Sequence, residues 1–181
     1  ESAIRANPAR VRHFVIAHTQ LIDAADIPRF QRLGVTANFE PLWACMDDDQ
    51  RVLTRPRLGD ARADRQYQIA TMLHTGASVS FGSDWPVTAF APLLGISTAV
   101  TRQATASGAA WIPDERISID AALSAYTLGV ARQVGRADAG LIAPGYRGDV
   151  VWLANDPRDV EPFAIRDVPV MGTWRAGNRV H

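Results

Sequence analysis

The sequence contains no lysine; all 19 of its basic residues are arginine. A Schiff-base lysine or a carbamylated lysine bridge, if one is used, must therefore lie outside this chain. Cysteine is nearly absent as well. Cys45 stands alone and cannot form an internal disulfide, which fits a reducing, cytoplasmic compartment and the role of a small buried side chain. No apolar run approaches the ~20 residues of a membrane-spanning helix, and no signal peptide is visible. Charge of neither sign dominates, with 19 acidic residues against 19 basic ones. No basic stripe suits a nucleic acid, and no basic amphipathic helix suits a membrane surface. There is no glycine-rich phosphate loop, no cysteine-rich zinc pattern, no nucleophile elbow and no internal repeat.

What is present is an ordinary globular composition. The 181 residues are 47% hydrophobic, enough for one domain, or one domain with a small appendage. The chain opens on Glu1, and its first residues, through Pro8, read as the end of a helix and its exit turn. That reading leads us to expect further sequence upstream.

Three short apolar runs recur along the first half. Residues 12–18 suit a buried strand ending at His18. Asp23 or Asp26 can cap a following helix, with Pro28 in its first turn and Gly34 as its stop. Residues 35–39 form a second strand candidate, closed by Pro41. A polar loop is expected over 47–60, then a helix over 61–75 ending at Gly76. Residues 77–82 make a third strand, stopping at Ser83-Asp84-Trp85-Pro86, and 93–103 another helix. This alternation predicts parallel α/β architecture with strands covered on both faces.

After Trp111 the pattern changes. Ser118 caps a helix over 119–134, ended by Gly135. Strands are expected over 149–153 and 168–174, and Ala176-Gly177-Asn178 makes a hairpin turn. The division that follows is 1–135 for the α/β part and 136–181 for a small β appendage.

His18 and Asp84 are polar residues at the C-terminal ends of buried strands, which in a parallel α/β barrel is the catalytic face. Imidazole and carboxylate are the ligand types of a hydrolytic divalent-metal site. Such a metal brings the pKa of its water toward ~7, and a nearby carboxylate can move the proton. Spacing alone leaves the blander readings open: a hydrogen-bonded core histidine, and a turn or helix-cap aspartate. The other histidines have simpler roles. Strand alternation turns His13 away from the His18 face; His74 sits at a helix end; and His181 is terminal. The Asp47-Asp48-Asp49 run is read as a solvated loop.

The motifs carry more information than the spacing. Arg12-x-x-x-Ile16-x-His18-x-Gln20 is followed by Asp26-Ile27-x-Arg29-Phe30-x-x-Leu33-Gly34-Val35 and by Pro41. Then come Gly82-Ser83-Asp84-Trp85-Pro86-Val87, Pro92 and Val100-Thr101-Arg102. The tail adds Ala121, Leu123, Ala125-Tyr126-Thr127, Gly140-x-Ile142-x-x-Gly145, Gly148-Asp149-Val150-Val151 and Val170-x-x-Thr173-Trp174-x-x-Gly177. In this order they resemble the amidohydrolase superfamily, in the amidohydrolase family 3 branch that holds N-substituted formamide deformylase. The resemblance covers nearly the whole chain, and Gly82 to Val87 is its most specific part.

The resemblance implies a fold: the C-terminal part of a TIM-barrel metal-dependent hydrolase, about the last three βα units, plus strands of a small β-sandwich. It implies His18 as a metal ligand ending the sixth barrel strand. Asp84 would be catalytic acid/base and metal-contacting at the end of the eighth. Gln20, Trp85 and Arg102 would lie near the substrate. The cofactor implied is a divalent metal, zinc, as one or two ions in a full-length parent, and the substrate a small amide-type molecule. The family's His-x-His pair, its central bridging residue and its fifth-strand histidine would all lie upstream of Glu1. Ala17 stands where relatives often carry Glu, and Trp43 lies where some carry His. The expected reaction is hydrolysis of C–N bonds other than peptide bonds. Two alternatives stand beside it. The chain is a non-catalytic fragment that forms a homodimer or pairs with a missing N-terminal half, or it is a binding module.

Overall fold

The structure, a computed structural model, describes residues 1–7 and 10–181. A short helix α1 (Ser2–Ala6) opens the chain, as its sequence suggests. The exit turn expected at Pro8 lies outside the described residues.

Strands β1 (Phe14–Ile16), β2 (Val35–Phe39) and β3 (Val79–Phe81) form one parallel sheet in the order β1-β2-β3. Between the first two lies helix α2 (Ile27–Leu33). Its boundaries follow the local chemistry: Pro28 sits in the first turn, and Gly34 ends the helix in the left-handed region at φ 63°. Ile27 and Phe30 turn inward against Ala37, Phe39 and Phe81 in the main core. Strands β2 and β3 are almost wholly buried, as their apolar runs require. The expectation of two covered faces fails for β1. It is an edge strand among the described residues, and Ile16 is 51% exposed.

The expected loop over 47–60 is largely helical. Asp49–Thr54 forms a π-type turn that runs into α3 (Arg55–Leu58), and α4 (Asp60–Ala63) follows. The acidic run does local work here. The Asp47 carboxylate accepts from the Gln50 N–H at 2.8 Å, and Asp48 pairs with Arg51 at 2.8 Å. The single helix expected over 61–75 is broken in two, α4 and then α5 (Ile69–His74). The break at Gln66-Tyr67 is tertiary in origin. Tyr67 takes φ 50°, its N–H donates to the Gln20 carbonyl at 2.8 Å, and its own carbonyl accepts from Arg102. Helix periodicity cannot register such long-range bonds.

Helix α6 (Pro92–Thr101) follows β3 and is capped by Arg102 in the left-handed region. Ser118 caps the next helical run, its hydroxyl accepting from the Ala121 N–H at 3.2 Å. The run comprises α7 (Ile119–Ser124), a π-type segment (Ala125–Gly129) and α8 (Val130–Gln133). Gly129 lets this run touch β3, since a Cβ there would fall 2.3 Å from the Val79 carbonyl oxygen.

The tail forms a second, antiparallel sheet of β4 (Val150–Leu153), β5 (Val170–Arg175) and β6 (Asn178–Arg179). Ala176 and Gly177 make the turn between the last two. Val151, Trp152 and Met171 of this sheet are substantially exposed. Among the described residues no helix is long and apolar enough to cross a membrane.

Candidate active site

Parallel pairing puts the C-terminal ends of β1, β2 and β3 along one rim of the sheet. The residues leaving those ends are His18, Glu40 and, after Gly82, Asp84. Both His18 (φ 56°) and Asp84 (φ 51°) take the left-handed backbone that side chains with a Cβ rarely adopt. Tyr67, Arg102, Ile112 and Ala176 also do so, so the feature is not confined to the rim. Local bonds hold each turn. The Gln20 N–H donates to the His18 carbonyl, closing a three-residue turn. The Val87 N–H donates to the Asp84 carbonyl at 2.8 Å, and the Thr88 hydroxyl to the Ser83 carbonyl.

The loop after β1 is tied directly to β2. The N–H and hydroxyl of Thr19 both donate to the Asn38 carbonyl, at 3.1 and 2.8 Å. The Asn38 amide donates in turn to Ser80 at 3.1 Å, and the Ser80 hydroxyl to Gln133. This buried polar ladder crosses all three strands just below the rim, where every member has a partner.

The His18 ring is held from two sides. It stacks on Trp43, with ring centres 5.6 Å apart and planes 13° apart. Its Nδ1 lies 3.2 Å from Oε2 of Glu40. The His18 side chain is 49% exposed, that of Glu40 only 4%. Oε2 of Glu40 is close to the imidazole but off the hydrogen-bond line, and it has no donor among the described residues. Burial pushes the Glu40 carboxyl above the usual range; the charge of His18 opposes this, and that of Asp84 adds to it. Asp84 is thus within electrostatic reach of the same carboxyl, from the far side of β2.

Glu40 is the rim residue that the sequence analysis missed. Its signal resembles that of His18: a charged residue ends an apolar strand, in Phe39-Glu40-Pro41.

The remaining candidates spread out. Trp85 stands 66% exposed in the loop after β3, next to Asp84. Gln20 donates to Gln66 at 2.6 Å, and Gln66 to Gln50 at 3.2 Å, so its amide is engaged in a glutamine chain. Arg102 requires a correction. Expected at the substrate, it is fully buried, and its guanidinium donates to the carbonyls of Trp111, Tyr67 and Gln66. Each of its three nitrogens is thus engaged with a backbone carbonyl, and its place is that of an internal brace. His13 packs beside Gly135, at the other end of β1 from His18.

As a metal site the rim has the right donor types. It lacks the number, because among the described residues no three His, Cys, Asp or Glu side chains converge closely enough to hold an ion.

A family model for the amidohydrolase family matches residues 1–181. The chain is similar to Protein LONG AFTER FAR-RED 3 of Arabidopsis thaliana, 36% identical over 185 residues, covering the whole chain and 31% of that protein. It is similar to the N-substituted formamide deformylase of Arthrobacter pascens, 35% identical over 112 residues, covering 61% of the chain and 20% of that protein. Among solved structures it resembles an uncharacterized metal-dependent hydrolase from Pyrococcus horikoshii, with TM-score 0.70 and 25% identity over 82% of this chain and 30% of that one. The chain therefore spans about a third or less of the length of these relatives.

Proposed function

Because the chain belongs to the amidohydrolase family, we propose that it forms one part of the active site of a metal-dependent hydrolase cleaving C–N bonds other than peptide bonds. Residues 1–135 are the closing βα units of a TIM barrel, and 136–181 are strands of the accompanying β-sandwich. The location is cytoplasmic, in keeping with the single unpaired Cys45. The observation that carries the reading is the shared rim: an imidazole and two carboxyl groups leave the same ends of three neighbouring parallel strands. Further ligands come from the length that the relatives have and this chain does not cover.

A divalent cation such as zinc, bound there, supplies a water acidic enough to ionise near neutral pH. His18 contributes a ring nitrogen toward that cation. Asp84 would take the proton of such a water and return it to the departing nitrogen, so that an amide, formamide or cyclic amide would be cleaved to an amine and an acid. Trp85 offers an apolar wall beside Asp84, and Gln20 borders the mouth.

The test is Asp84→Asn in the enzyme with its upstream sequence, assayed on N-substituted formamides, simple amides and cyclic amides with zinc present. Loss of the proton carrier should lower kcat by about 10²–10⁴-fold with the fold intact. Turnover at the wild-type rate would remove Asp84 from the mechanism.

A second reading has an observation of its own. The open edge of β1 and the exposed Ile16, Val151, Trp152 and Met171 suit a piece that pairs with itself or with a separate N-terminal half. Metal analysis and sizing of the isolated chain separate the two. A metal-free dimer favours pairing, and a monomer holding stoichiometric metal favours a self-contained site.

A further inference from the structure

Proton transfer and cation binding, as proposed, make no use of Glu40. Yet Glu40 is the most buried charged group at the rim, and its Oε2 has no donor among the described residues. A buried carboxylate with one oxygen lacking a donor is costly, and a leucine would fill the same space without that cost. What Glu40 has instead is the His18 imidazole, with Nδ1 at 3.2 Å. Trp43 stacks on the same ring and fixes its plane. The stacking sets the ring plane, and the Glu40 carboxylate lies on the Nδ1 side of it, off the hydrogen-bond line. Nothing among the described residues hydrogen-bonds the other nitrogen, Nε2, and half of the side chain is open. Among the described residues, Glu40, His18 and Asp84 do not converge as a group that could hold an ion.

We propose that Glu40 is a positioning residue: its carboxylate, on the Nδ1 side of His18, favours the proton there over Nε2, and so presents the Nε2 lone pair at the mouth of the site. A carboxylate behind a histidine fixes ring orientation and tautomer, and makes the outward nitrogen a better donor to a cation. Asp84 is the other charged group facing this pair. It lies at the end of β3, so that β2 and Glu40 stand between the two candidate ligands. The tautomer itself needs no metal; that Nε2 then grips a cation rests on the function proposed above.

The test starts with imidazole ¹⁵N spectra of the labelled 181-residue chain at pH 8. It contains four histidines, and loss of one signal set in His18→Asn assigns His18. The wild-type chain should show His18 as Nδ1–H, against the Nε2–H preference of a free imidazole. Glu40→Leu, which removes the carboxylate, should release that tautomer. A wild-type His18 in the Nε2–H form overturns the proposal whether or not any variant folds, as does a folded Glu40→Leu chain that keeps Nδ1–H. In the enzyme with its upstream sequence, zinc affinity by chelator competition should fall about 10–100-fold in Glu40→Leu. If the tautomer responds as stated but the wild-type enzyme takes up no zinc, the positioning role stands and the metal-hydrolase reading fails.

Discussion

Replacing Arg102 with methionine keeps most of the side-chain volume and deletes the guanidinium. That group is fully buried. Its Nε and one terminal nitrogen donate to the Trp111 and Tyr67 carbonyls, each at 3.0 Å, and the other donates to Gln66 at 3.4 Å. It also lies 5.5 Å from the Trp111 ring centre. Tyr67 keeps a second donor, the N–H of Ile69, so its carbonyl survives the change. The Trp111 and Gln66 carbonyls lose the guanidinium. An orphaned buried carbonyl costs about 1–3 kcal/mol, so the two together should cost roughly 2–6 kcal/mol. For a domain stable by about 5–15 kcal/mol that is a large share. Urea unfolding followed by tryptophan fluorescence reads it directly. With a slope of about 2 kcal/mol/M, the midpoint should fall by about 1–3 M. A midpoint within about 0.3 M of wild type would refute the brace. If substrate KM then rose while stability held, Arg102 would belong at the substrate after all.

Two further outcomes follow from burial. Cys45 is 6% exposed, and burial pushes its thiol up to about 11 from an ordinary 9.0. At pH 8 its native alkylation should therefore be about 100-fold slower or more than that of the unfolded chain, since the thiolate is the nucleophile; equal rates would place the thiol at the surface. The unfolded state sheds this proton first. The stability contributed by Cys45 is thus whole below pH 9 and fades as pH rises through about 11, and Cys45→Ala should flatten that part of the alkaline slope. Gly129→Ala gains roughly 1 kcal/mol of helix propensity but drives a Cβ to 2.3 Å from the Val79 carbonyl oxygen. Overpacking against fixed backbone costs roughly 1–3 kcal/mol, so we expect a lower melting temperature; an unchanged or higher value would show that the helix moves away freely.

Much of this architecture is legible in short windows of sequence. The residues 35–39 are all apolar or small and form β2 as read; Gly34 and Ser118 mark a helix stop and a helix start through bonds made within a few residues. His18 and Asp84 stand out by their positions after apolar runs, and the order of motifs places the chain in its family. The windows mislead where distant groups compete with local preference. The helix expected over 61–75 gives way at Tyr67 because Gln20 and Arg102 claim its backbone groups. The same competition takes Arg102 out of the site.

By itself the sequence determined the parallel strands, several helix caps and the family, because hydrophobic period, turn residues and motif order are properties of neighbouring positions. Only the tertiary structure decided that Glu40 meets His18, and that β1 is an edge strand among the described residues. Those facts depend on which strands lie side by side, and a carboxylate meets an imidazole across two strands only once the sheet has been assembled.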